Sequence, residues 1–246
     1  MLRLEILEQA GLSVAAMSGV SDGDCASRPE AEASRNAFLA KCRIDPARLA
    51  RARQVHGTAI HVVDEDYLRA FPENAPATWP ASDGLITNIP GIALGVSVAD
   101  CVPLWIFDPA RSALGVFHAG REGTVSAIAS IGVKALTDQY GSRSEDLLAV
   151  IGPSAGPCCY EVSEEMARDL ASLGFPVFGR KLDLWESNRQ QLEEAGVPTG
   201  QIFITRQCTL CGDGFHSYRK SGSAKRNLAV GMLGGNPASA GEREGN

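Results

Sequence analysis

The side chains in this sequence that could bind a metal or act as nucleophiles are few. There are four histidines and seven cysteines in 246 residues. His56 lies in Arg53-Gln54-Val55-His56-Gly57, read as a strand end whose glycine leaves room for a ligand. Cys101 lies in Ala99-Asp100-Cys101-Val102-Pro103, where one buried strand is expected to end and another to begin. His118 follows the apolar run Ala113 to Phe117 and precedes Ala119-Gly120. Two imidazoles and a thiolate are the N/N/S donors of a catalytic zinc site with a fourth position open. Spacing alone does not join them, because no pair has the i,i+4 interval of helical metal motifs. A lone cysteine such as Cys101 is also often a small core residue.

Other candidates read as weaker. His61 alternates within a strand run and is expected to be structural. Cys158-Cys159 and Cys208-x-x-Cys211 could hold structural zinc, but adjacent cysteines match the paired C-x-x-C pattern poorly, so reduced thiols are the expected state. Gly212 to Lys220 mixes glycine, aromatic and basic residues, and reads either as a pocket lining or as a turn into a C-terminal strand. Asp100, next to Cys101, could orient a ligand or move a proton. Arg53 and Arg219 are candidates for phosphate contact, since arginine forks match phosphate oxygens.

These residues need rigid elements to bring them together. A helix is expected over about Glu30 to Lys41, a strand over Thr58 to Val63, and a proline-rich loop from Phe71 to Pro80. Gly84 to Thr87, Ile92 to Val98, Pro103 to Phe107, Ala113 to Phe117, Leu147 to Ile151 and Ile202 to Thr205 suit buried strands. A helix carrying Val125, Ile128, Ala129, Gly132, Ala135 and Leu136 follows His118. Ser163 and Asp183 are expected N-caps, and Gly196 a helix stop. The segment before Arg48 is loosely patterned, and 235–246 reads as a flexible tail.

Composition agrees with one domain of mixed α and β structure spanning 1–246. Hydrophobic residues make up 44% and charged residues 21%, enough to build a large core. A net charge of −6 without a basic stretch argues against nucleic acid as partner. No apolar run has the length of a membrane span, and the first residues do not read as an export signal. With an odd number of cysteines, this places the chain in the cytoplasm, with free thiols or metal ligands.

The ordered segments Gln54-Val55-His56-Gly57, Asp83-Gly84-Leu85-Ile86-Thr87, Val98-Ala99-Asp100-Cys101-Val102-Pro103, Phe117-His118-Ala119-Gly120 and Ile151-Gly152-Pro153 form a pattern. It continues through Cys159-Tyr160-Glu161-Val162, Cys208-Thr209 and Ser217-Tyr218-Arg219. The pattern resembles the laccase-domain family, labelled multicopper polyphenol oxidoreductases and later described as purine nucleoside phosphorylases. The resemblance implies an α+β fold, a four-layer αββα sandwich with mixed sheets. It implies zinc on His56, Cys101 and His118, with copper the lesser alternative. It implies that purine nucleosides and phosphate are the partners: adenosine, inosine, guanosine or methylthioadenosine is split, and adenosine is also deaminated. A monomer or homodimer is expected.

Two departures bear on the reaction. The family's HAGWRG reads His118-Ala119-Gly120-Arg121-Glu122-Gly123 here, and its N-terminal arginine element is reduced to Met17-Ser18-Gly19-Val20-Ser21. Arg121 could restore the lost positive charge. In the expected mechanism zinc polarises an oxygen nucleophile that attacks the sugar C1′ or the purine C6. One rival is a hydrolase or deamidase with Cys101 as nucleophile and His118 as base, acting on a cell-wall precursor or another amide. Another is a metal-binding protein without catalysis. Multicopper oxidation needs far more imidazoles than the four available.

Overall fold

The computed structural model describes residues 1–72 and 75–234. The expected tail, 235–246, lies outside the described residues. In chain order the strands are β1 (Leu2–Arg3), β2 (Leu12–Met17), β3 (Leu49–Ala50), β4 (Ile60–Val62), β5 (Gly84–Thr87), β6 (Ala93–Val98) and β7 (Val102–Asp108). They continue with β8 (Ala113–Ala119), β9 (Leu148–Ile151), β10 (Val177–Phe178), β11 (Lys181–Leu182), β12 (Ile202–Ile204) and β13 (Asn227–Leu233). The helices are α1 (Glu5–Gln9), α2 (Glu32–Lys41), α3 (Glu65–Ala70), α4 (Arg121–Val125), α5 (Ile128–Tyr140), α6 (Glu164–Ser172), α7 (Leu184–Glu194) and α8 (Tyr218–Ser221).

Two mixed sheets carry the fold. One runs β1-β2-β13-β6-β3, the other β12-β9-β7-β8-β5-β4, and β10 and β11 form a small hairpin. The sheets pack face to face through Trp105, Phe107, Leu114, Val116 and Val150 of one and Ala15, Met17, Leu94, Val96 and Ala229 of the other. Trp105 ties them directly, its indole N–H donating to the Val230 carbonyl at 3.0 Å. Helix α2 covers the outer face of the first sheet with Phe38 and Leu39, joined by Cys42 just after its end. Helices α5, α6 and α7 cover the second with Ile128, Val133, Leu136, Leu170, Leu184 and Leu192. These are the four layers, αββα, that the resemblance implies.

Because β7 and β8 are buried on both faces, their sequences are continuously apolar rather than alternating. Odd positions of β8, Ala113 and Phe117, face α5, and even positions Leu114 and Val116 face the other sheet. His118 therefore projects from the inter-sheet face of β8, near its end. The Phe117 ring needs space that only glycines leave. A Cβ on Gly115 would meet it at 2.4 Å, one on Gly84 at 2.6 Å and one on Gly132 at 2.9 Å.

Several expectations hold closely. Ser163 accepts from the Met166 amide at the start of α6, and Asp183 from the Glu186 amide at the start of α7. Gly196 follows α7 with φ +94°. Other boundaries move. The helix expected after His118 is two, α4 and α5, broken where Ala127 adopts φ 62°. The loosely patterned N-terminus contains β2, a fully paired strand of the first sheet. Among the described residues no helix is long and apolar enough to cross a membrane.

Candidate metal centre

His56, Cys101 and His118 meet. One donor atom from each lies within 4.8 Å of the others, and the two imidazole rings stand edge to face with centroids 4.9 Å apart. The elements that place them differ in part from the sequence reading. Cys101 sits as expected in the short link between β6 and β7. His118 lies inside β8, paired with Pro103 of β7, rather than beyond the strand. His56 is not at a strand end but in the loop between β3 and β4, with a left-handed φ of 62°.

Asp83, just before β5, explains that loop. Its carboxylate accepts the backbone N–H groups of Val55, His56 and Gly57 at 3.1, 3.0 and 2.7 Å. The same carboxylate lies 2.7 Å from His118 Nδ1, and the His118 amide donates to the Asp83 carbonyl at 2.7 Å. One buried acid thus folds the His56 loop over the end of β8 and fixes the His118 ring, leaving its Nε2 for the centre. The Gln54 side chain holds the loop from the other side, pairing twice with the Ser97 backbone at 2.8 Å.

The donor set fits a metal ion. Gly120 is the cradle: a Cβ there would lie 3.0 Å from His56 Cδ2 and 3.2 Å from Cys101 Sγ. Burial alone would raise the Cys101 thiol, but contact with His118 and His56 outweighs it and brings the thiol down to about 6. Burial alone would lower His118, yet Asp83 and Cys101 raise it to about 9. Asp83 is held below the usual carboxylate range, since the His118 ring and the Gly57 and Val55 amides overcome its burial. Without an ion the sulfur and the His118 ring thus pair as thiolate and imidazolium, and a bound cation would take the place of the imidazole proton. Two imidazole nitrogens and a thiol sulfur within 4.8 Å of one another are donors a transition-metal ion takes, and a carboxylate behind a ligating imidazole is the usual support for such a site.

The centre forms the floor of a cavity of about 570 Å³. Arg53, Arg121 and Arg219 all reach it, with Arg226, Trp79, Tyr160 and Tyr218. Arg121 also pairs with Glu122 at 3.1 Å. Arg219 lies over the Tyr160 ring at 4.4 Å and donates to the Glu161 carbonyl at 2.6 Å. Asp100 lines the cavity, but its carboxylate is engaged. It accepts from the Thr209 hydroxyl at 2.6 Å and from the Arg219 amide at 2.7 Å.

The sequence reading missed two contributors, Asp83 as a partner of His118 and Arg226 at the rim. The first had a visible signal, an acid opening an otherwise apolar strand run. The two remaining histidines stand apart from the centre. His61 pairs with Leu85 in the second sheet, and His216 Nε2 lies 2.9 Å from the Gly23 carbonyl oxygen.

With this geometry established, comparison with known proteins is decisive. The sequence profile described as multi-copper polyphenol oxidoreductase laccase matches residues 11–233. The chain belongs to that family. A purine nucleoside phosphorylase of Bacteroides thetaiotaomicron is 34% identical over 199 residues, covering 76% of this chain and 74% of the relative. A protein named adenosine deaminase RL5, from an unknown prokaryotic organism, is 32% identical, covering 73% of this chain and 72% of its own. The crystal structure of YlmD from Geobacillus stearothermophilus superposes with a TM-score of 0.81 at 27% identity, covering 90% of this chain and 92% of that one. His56, Cys101 and His118 are one of two clusters among the described residues whose donors could hold a metal ion.

Proposed function

We propose that this chain is a zinc-dependent purine nucleoside phosphorylase, splitting adenosine, inosine, guanosine or methylthioadenosine with phosphate. The observation that carries this reading is the convergence of His56, Cys101 and His118 on the floor of an arginine-rimmed cavity. Relatives that bear the name support it.

His56, Cys101 and His118 would hold the zinc ion, which would supply Lewis acidity toward an oxygen of the reactants. The chain's own residues do the rest. Asp83 keeps the proton on His118 Nδ1 and so leaves Nε2 as the nitrogen that would hold the ion. Arg53, Arg121 and Arg219 present guanidinium forks whose charge and shape suit phosphate oxygens. Arg219 reaches the rim already ordered, its amide held by Asp100 and its head resting on Tyr160. Both Asp100 oxygens have donors, which makes Asp100 a positioning residue for that arginine and for the neighbouring Cys101. The exposed Tyr218 ring at the rim offers an apolar face for a flat purine. The cavity lies in the size range of small-molecule sites.

Deamination of adenosine at the same centre is a second reading, supported by the relative named for that activity. A Cys101–His118 hydrolase would give His56 no part, whereas a metal set uses it. The test is product identification with metal-analysed protein. Inosine plus phosphate should give hypoxanthine and ribose 1-phosphate, and adenosine without phosphate should give inosine and ammonia if deamination occurs. Neither set of products from metal-loaded protein would leave a metal-binding chain without this catalysis.

A further inference from the structure

Of the seven cysteines, Cys25 and Cys42 are core residues and Cys101 belongs to the centre described above. The other four come together at a separate place. The sequence reading left Cys158, Cys159, Cys208 and Cys211 as reduced thiols, yet the fold brings all four sulfurs within 4.8 Å of one another. We infer that these four cysteines form a second, structural zinc site of tetrathiolate type.

The four sulfurs are close enough to share one ion once Cys211 moves outward by less than about 1 Å. Four sulfurs at about 2.3 Å from a tetrahedral zinc stand about 3.8 Å from each other. Here Cys211 Sγ lies 3.2 Å from Cys158 Sγ and 3.0 Å from Cys159 Sγ, with the remaining separations under 4.8 Å. Sulfur donors alone select zinc or iron, and a set this compact holds a single ion rather than an iron–sulfur cluster.

The backbone is built to hold it. Ser154 and Cys208 form a parallel bridge, which brings the two cysteine turns side by side. The Gly156 amide donates to Cys208 Sγ at 3.3 Å, and the Cys211 and Leu210 amides also point at that sulfur. Such N–H···S contacts stabilise a thiolate knuckle. Gly156 admits the close approach, since a Cβ there would lie 2.6 Å from the Trp185 ring and 3.2 Å from Cys208 Cβ. Beside these turns lie Tyr160 and Arg219 of the cavity wall, and Thr209, within the second turn, donates its hydroxyl to the cavity residue Asp100 at 2.6 Å. A zinc clamp joining 156–159 to 208–211 would pin that wall, just as structural zinc pins small folds.

The test reads metal rather than turnover, so it succeeds or fails independently of the proposed function. Wild-type protein purified without chelator should carry one zinc ion per chain on these cysteines, and a second where the His56, Cys101 and His118 centre also holds zinc, by mass spectrometry of the metal. His118→Ala should keep one, and its zinc X-ray absorption should show a shell of about four sulfurs. Cys208→Ser with Cys211→Ser should also lose one. In the wild-type chain the exposed Cys158 and Cys211 should resist alkylation until chelator is added, a readout that needs no variant to fold. Loss of all zinc in His118→Ala, iron in its place, prompt alkylation of both cysteines without chelator, or a disulfide among the four would overturn the site.

Discussion

The Asp83 carboxylate lies 2.7 Å from His118 Nδ1 while collecting the Val55, His56 and Gly57 amides. One side chain thereby sets both the tautomer of one proposed ligand and the loop that carries another. Asp83→Asn keeps the size but not the charge. Zinc affinity at the centre should fall by about 10- to 100-fold. Competition with a coloured chelator measures it, and unchanged affinity would remove Asp83 from the site.

Gly120→Ala tests the cradle without removing a donor. The backbone there has φ −69°, which alanine accepts. The added methyl, 3.0 Å from His56 and 3.2 Å from Cys101, must push the donors apart. Metal affinity and turnover should drop by about tenfold while Tm stays near the wild-type value. A variant with both properties intact would show that the donors need no such closeness.

Not all of this was open to sequence reading. β5 to β9 were legible because strands buried on both faces are unbroken apolar runs bounded by glycine, proline or aspartate. β2 was not, since Leu12-Ser13-Val14-Ala15-Ala16-Met17 gains its strand character from β13, some two hundred residues away. His56 looked like a strand end because nothing local reveals that Asp83 captures its loop. The cysteine quartet was hidden for the same reason. Its halves are about fifty residues apart, and the bridge at Ser154 and Cys208, not their spacing, unites them.

Packing around Phe117 gives a stability prediction. Gly115→Ala places a methyl 2.4 Å from the Phe117 ring and 3.2 Å from Ile86. Overpacking of this kind costs about 1–3 kcal/mol. In a chain of this size that lowers Tm by about 2–4 °C per kcal/mol. Adding Phe117→Leu should recover part of the loss, and strict additivity of the two changes would contradict the contact.

Acid stability has an identifiable source in Asp22. Burial alone would raise its carboxyl, but Lys41 Nζ at 2.6 Å and the Gly19 amide at 2.9 Å bring it from 3.8 to about 2. A depressed carboxyl stabilises the fold fully above its unfolded pKa. The contribution, on the order of 2 kcal/mol, is lost as pH falls from about 4 through about 2. Asp22→Asn should therefore be less stable than wild type at pH 6, with the gap closing toward pH 2. A gap independent of pH would show that the charge is not its cause.

The central claim is that His56, Cys101 and His118 hold the ion on which nucleoside cleavage depends. The most direct measurement is phosphate-dependent release of hypoxanthine from inosine as metal is stripped by chelator and zinc is then restored. Activity should vanish with the metal and return with it, and His118→Ala should stay inactive throughout. Full turnover by the metal-free chain, or by His118→Ala, would contradict the account.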